Sequence, residues 1–63
     1  MFTLIILEGN CNGEGRAFAQ WVEATQPNVT VDFRANCEGV GGGLFDDDGN
    51  EIDNRLWEEF CRS

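Results

Sequence analysis

The chain has 63 residues, with 12 Asp and Glu against four Arg, no Lys, His or Tyr, and a formal charge of −8. That charge repels DNA, RNA and anionic membrane faces and attracts basic surfaces from a distance. Apolar residues reach 41% and fall in blocks, too many for a disordered acidic tail and enough for one small core.

Phe2 to Leu7 is apolar on both alternating faces, the pattern of a strand covered on both sides. The run lacks the basic start and small-residue cleavage site of a signal peptide. No stretch approaches the roughly 20 apolar residues that span a bilayer, so a soluble, cytoplasmic protein with no membrane partner is expected. Gly9 to Gly15 is a loop of turn formers. From Arg16, apolar residues recur at Phe18, Trp21, Val22 and, more weakly, Thr25, the spacing of an amphipathic helix with Trp21 on its buried stripe. Asn12 is the expected N-cap, Glu14 suits the positive end of the helix dipole, and Pro27 ends the helix.

Val29 to Arg34 alternates, with Val29, Val31 and Phe33 on one face, as in a half-buried strand. The crossover through the helix is long enough for the two strands to lie parallel and adjacent. A flexible loop over Gly39-Val40-Gly41-Gly42-Gly43 follows, then a hairpin from Leu44 to Ile52 with a type I′ turn at Asp48-Gly49. Asp53 or Asn54 caps a short C-terminal helix. Leu56, Trp57, Phe60 and Cys61 take its buried face, and Arg55–Glu59 and Glu58–Arg62 are i, i+4 pairs worth ~0.3–0.5 kcal/mol each. The pattern as a whole predicts one compact α+β domain over residues 1–63, β-α-β-(β-hairpin)-α, a small sheet packed by two helices.

Cys11, Cys37 and Cys61 are odd in number, widely spaced and without C-x-x-C. Free thiols are expected, with one disulfide or a reactive or metal-binding Cys as lesser alternatives, and a fold independent of disulfides and metals. Without His, a structural zinc site is a poor match. The sequon Asn28-Val29-Thr30 has meaning only in a secreted chain.

The glycine-rich loop after the first strand sits where phosphate loops sit. It fits neither G-x-G-x-x-G nor G-x-x-x-x-G-K-[ST], and Glu8 and Glu14 flank it with no Lys. A plain connecting loop is expected. In the acidic run, Asp46, Asp48 and Asn50 at calcium-loop positions 1, 3 and 5 put Glu51 where glycine is required and Trp57 where the bidentate Glu belongs. No metal or other cofactor is expected, with weak divalent-cation binding a lesser alternative. No His, Lys or Tyr is present for general-base or covalent chemistry, and 63 residues rarely form a catalytic cleft. No catalytic residue is therefore assigned.

What remains is the acidic surface. In an extended strand, residues i and i+2 lie ~6.6 Å apart on one face. Asp46 with Asp48, or Glu51 with Asp53, would form rows of anions comparable in spacing to steps along a nucleic-acid strand. The expected partner-binding residues are Asp46, Asp47, Asp48, Glu51, Asp53 and Trp57, with the arginines adding specificity where exposed.

In size, charge and lack of an enzymatic motif, the chain resembles the small acidic inhibitors encoded by bacteriophages, among them anti-CRISPR proteins and DNA mimics. The resemblance lies in overall character and carries over no functional residue. It implies a non-enzymatic inhibitor that docks onto a basic, nucleic-acid-binding site of a host protein or complex, binds no nucleic acid itself, and acts in the bacterial cytoplasm. The alternative is a small structural or adaptor subunit whose acidity serves solubility.

Overall fold

The computed structural model describes residues 2–39 and 41–63, so that Val40 of the expected glycine loop lies outside the described residues. In chain order the elements are β1 (Phe2–Glu8), α1 (Glu14–Thr25), β2 (Val29–Ala35), β3 (Gly43–Phe45) and α2 (Arg55–Arg62). Together they form the α+β domain expected from the sequence. The sheet order is β2-β1-β3. β1 and β2 run parallel, from Phe2 opposite Val29 to Glu8 opposite Ala35. β3 is antiparallel to β1, pairing Ile5 with Phe45 and Leu7 with Gly43.

Directly opposed residues share a face of the sheet. Leu4 and Ile6 therefore lie on one face with Val31, Phe33 and Leu44, and both helices pack there. The buried core is Leu4, Ile6, Phe18, Ala19, Val22 and Leu44, with Val29, Val31, Phe33, Ile52, Leu56, Trp57 and Phe60 half-buried around it. The opposite face carries Thr3, Ile5, Leu7, Thr30, Asp32, Arg34 and Phe45. There the expectation that β1 is covered on both sides fails, because Ile5 and Leu7 are only half-buried. Their shelter comes from neighbours in the sheet: Ile5 lies between Asp32 and Phe45, and Leu7 between Arg34 and Gly43.

α1 begins at Glu14, one residue later than an N-cap at Asn12 implies. Gly13 holds the N-cap position at φ 88° without a side-chain bond, and Asn12, one residue further out, accepts the Glu14 N–H at 3.0 Å. The buried stripe is Gly15, Phe18, Ala19 and Val22. Trp21 is half-buried and Thr25 exposed, the Thr25 hydroxyl donating to the Trp21 carbonyl. Phe18 is the anchor. Its ring meets Trp57 edge-on at 5.2 Å and 84°, Phe60 at 5.4 Å and Trp21 at 6.2 Å.

The expected hairpin is shorter than its sequence pattern. Only Gly43–Phe45 is strand, continued by an isolated Phe45–Glu51 bridge and by the Ile52 N–H donating to the Leu44 carbonyl. Its turn is not type I′, which requires positive φ at both central residues. Among the described residues Cys11 is the one non-glycine with positive φ, so Asp48 does not qualify. Instead the Gly49 N–H donates to the Asp46 carbonyl across Asp47 and Asp48, and Gly49 takes the left-handed conformation at φ 82°.

α2 has no fully buried residue. Cys61, expected on its inner face, is exposed. Neither i, i+4 ion pair forms among the described residues, and Arg55 meets Asp53 instead, at 3.7 Å. No helix among the described residues is long and apolar enough to cross a membrane.

Phe18→Ala removes the side chain that joins the sheet to both helices. A loss of about 3–5 kcal/mol is expected for a fully buried Phe, enough to unfold a core this small. Half-buried Trp21→Ala should cost clearly less and keep a cooperative melt. Urea titration of both variants followed by circular dichroism tests this. Equal losses would show that Phe18 is not the anchor.

Candidate functional site: an acidic turn and a cleft at the end of the central strand

The acidic run does not form rows along a strand. Asp46 is half-buried, and its Oδ1 accepts the N–H groups of Asp48 and Asn50, both at 2.9 Å. This side-chain capture of the local backbone centres the turn on Asp47 and Asp48, where Asp48-Gly49 was expected, so that Asp46 and Asp48 do not share an extended strand. Asp47 and Asp48 are left exposed at the tip, and Glu51 is exposed beside Phe45. Asp53 is engaged locally, its Oδ1 accepting the Arg55 N–H at 3.2 Å at the start of α2. Of the six expected contact residues, Asp47, Asp48 and Glu51 are thus exposed with no side-chain hydrogen bond or ion pair among the described residues, whereas Asp46 and Asp53 also hold the backbone.

Trp57 stands apart from them. It packs in the aromatic cluster with Phe18 and Phe60, the latter at 5.5 Å. It also lines a cleft of ≈ 250 Å³ at the C-terminal end of β1, between the start of α1, β3 and α2. Chain length alone gave no expectation of such a cleft. Its walls include Glu8, Asn10, Asn12, Glu14, Asn54 and Trp57.

Glu8 explains why the glycine loop is no phosphate cradle. Its Oε1 accepts the N–H groups of Gly13 at 3.0 Å and Gly15 at 3.1 Å. The donors that a helix N-terminus offers to a bound anion are therefore taken by the chain's own carboxylate. Close backbone approach makes this possible. A Cβ on Gly15 would stand 2.8 Å from the Glu8 Cβ and 2.9 Å from the Phe33 ring, and one on Gly9 would collide with the Gly41 carbonyl.

Cys11 and Cys37 form a disulfide, with Cα atoms 5.1 Å apart and a sequence separation of 26. This corrects the expectation of free thiols. The parallel pairing of β1 and β2 brings the loops that follow them to the same end of the sheet, which wide spacing in the sequence conceals. Cys11 is flanked by Asn10 and Asn12, so the bond ties down one wall of the cleft.

The arginines are largely engaged. Arg34 pairs with Asp32 at 2.9 Å, Arg55 with Asp53, and Arg16 lies 5.4 Å above the Phe33 ring. Among the described residues no group of three or more acidic or thiol side chains converges to hold a metal ion. No protein-family model, no curated protein and no solved structure matches the chain.

Two outcomes follow from this geometry. Reduction of the disulfide should lower stability by about 2–4 kcal/mol, because the bond closes a long loop. Thermal melts with and without reductant measure it, and an unchanged melting temperature would contradict the bond. Glu8→Ala should cost about 1–2 kcal/mol, as loss of a helix cap does. Its amide signature is faster hydrogen exchange at Gly13 and Gly15, and unaltered exchange there would discount the cap.

Proposed function

We propose that this protein is a non-enzymatic acidic binding module that docks onto a basic, nucleic-acid-binding surface of a target protein or complex and competes there with nucleic acid. The observation that carries this reading is the charge left without a counter-ion. Among the described residues only Asp32 and Asp53 meet an arginine, and the other ten carboxylates have no cationic partner there. Such a surface raises the rate of encounter with a basic partner and repels nucleic acid itself. Composition supports the non-enzymatic part, since His, Lys and Tyr are missing from the chain. An anti-CRISPR protein or other phage inhibitor of host machinery is one form that this function takes. The Cys11–Cys37 disulfide does not favour a reducing cytoplasm as the setting, because such bonds persist chiefly in oxidising compartments.

Asp47, Asp48 and Glu51 are the residues to reverse. Asp46 is kept because it holds the turn together. The triple Lys variant should remain folded, since exposed substitutions usually shift stability by less than ~0.5 kcal/mol each. Its association with the target should slow strongly. Wild-type affinity should fall as salt rises, because exposed charges are screened beyond ~8 Å at physiological ionic strength. The target is captured from bacterial lysate at low salt, identified by mass spectrometry, and used in a binding assay with nucleic acid as competitor. Undiminished binding by a folded triple variant, together with failure of nucleic acid to compete, would overturn the proposal. It would favour an adaptor docking through the open sheet face around Ile5, Leu7 and Phe45.

A further inference from the structure

We infer that the cleft at the C-terminal end of β1 receives an arginine side chain of the basic partner, its guanidinium stacked on Trp57 with Glu8 and Glu14 as its counter-ions. The inference rests on the binding function proposed above and adds a second, separate point of contact to the acidic turn.

The lining sets the sign of the ligand. Among the described residues the cleft carries two carboxylates, three asparagines and no cationic side chain. Its one natural anion-binding feature, the start of α1, is already occupied by Glu8. A phosphate or carboxylate entering here would meet Glu8 and Glu14 with no cationic side chain to offset them, whereas a cation meets both with favourable sign. Glu8 is also preorganised. Two backbone N–H groups fix its Oε1, and Oε2 makes no hydrogen bond among the described residues. A charge held in place in this way loses little freedom when it takes up a ligand.

The remaining walls choose among cations. A divalent metal ion needs several oxygen ligands converging on one point, and no such group forms among the described residues. At ≈ 250 Å³ the space lies below the roughly 300–1,000 Å³ of sites for drug-sized ligands, which suits a single side chain. Trp57 favours guanidinium over ammonium, because the planar, weakly hydrated guanidinium stacks on aromatic rings as a compact ammonium does not. Its five N–H donors outnumber the three oxygens of Glu8 and Glu14 that carry no backbone bond, and the side-chain carbonyls of Asn10 and Asn54 supply further acceptors in the same walls.

The test titrates ¹⁵N-labelled protein, disulfide intact and at physiological ionic strength, with Nα-acetyl-arginine amide. Nα-acetyl-lysine amide and free L-arginine are titrated in parallel. Saturable shifts are expected at the Trp57 indole N–H and at the amides of Gly9, Gly15 and Gly43, with capped arginine binding more tightly than capped lysine. Free arginine, zwitterionic at its α-carbon and without the flanking amides of a protein chain, should bind no more tightly than the capped form. Glu14→Gln should weaken capped-arginine binding roughly two- to fivefold, as loss of an exposed ion pair does, with the rest of the spectrum unchanged. The Asp47, Asp48 and Glu51 triple Lys variant should keep its affinity for capped arginine even where it loses the protein target, so failure of the cleft and failure of the acidic turn are told apart. Shifts confined to Asp47, Asp48 and Asn50, a non-saturating response, or equal response to arginine and lysine would overturn the inference. Tighter binding of free arginine would make the cleft a site for the amino acid itself and overturn the partner assignment.

Discussion

Phe18 touches every layer of this domain. Its ring is 1% exposed, packs with Leu4, Ile6 and Leu44 in the core, and meets Trp57, Phe60 and Trp21 on its outer side. The position of α2 follows from it, since that helix buries no residue of its own completely and is held by Trp57 and Phe60. Aromatic pairs at these centroid separations add about 0.5–1.5 kcal/mol beyond their area burial. With a core as small as Leu4, Ile6, Phe18, Ala19, Val22 and Leu44, one such cluster is a large share of what offsets chain entropy. The cleft depends on it too, because Trp57 is both a wall of the cleft and a neighbour of Phe18.

Charge organises the rest. Among the described residues no charged side chain is buried, and five of the twelve acids gather in the run from Asp46 to Asp53. Where a carboxylate approaches the interior it is given donors, as Glu8 is by Gly13 and Gly15 and Asp46 is by Asp48 and Asn50. These acids stabilise the fold. Asp47, Asp48, Glu51 and the outer oxygen of Glu8 are negative charge open to a partner. β3 connects the two regions, with Gly43 and Leu44 lining the cleft and Phe45 leading into the acidic turn.

The elements were legible because each is written in local pattern. Val29, Val31 and Phe33 alternate as a half-buried strand must, and Phe18 and Val22 recur as a helix face must. The parallel pairing of β1 and β2 followed from the length of the crossover. Expectation and structure part where two neighbouring rules compete. Asp48-Gly49 has the composition of a type I′ turn, but the Asp46 side chain bonds two backbone N–H groups and imposes another. Cys61 has the spacing of the inner face of α2, yet the helix is too short and too loosely docked to bury it. Arg55 has an i, i+4 acid in Glu59 but meets Asp53, which lies closer in sequence.

The α+β class, the order of the elements, the segregation of the apolar stripes and the strongly negative surface are all properties of residue type and periodicity along the chain, and reading the chain was enough to find them. Which residues meet through space was settled only by folding. Packing set β3 beside β1, joined Cys11 to Cys37, turned Glu8 back onto the start of α1, and gathered Glu8, Glu14, Asn54 and Trp57 around one cleft. Each of those contacts joins residues separated in sequence, and their approach depends on how the elements pack on one another, which local pattern does not encode.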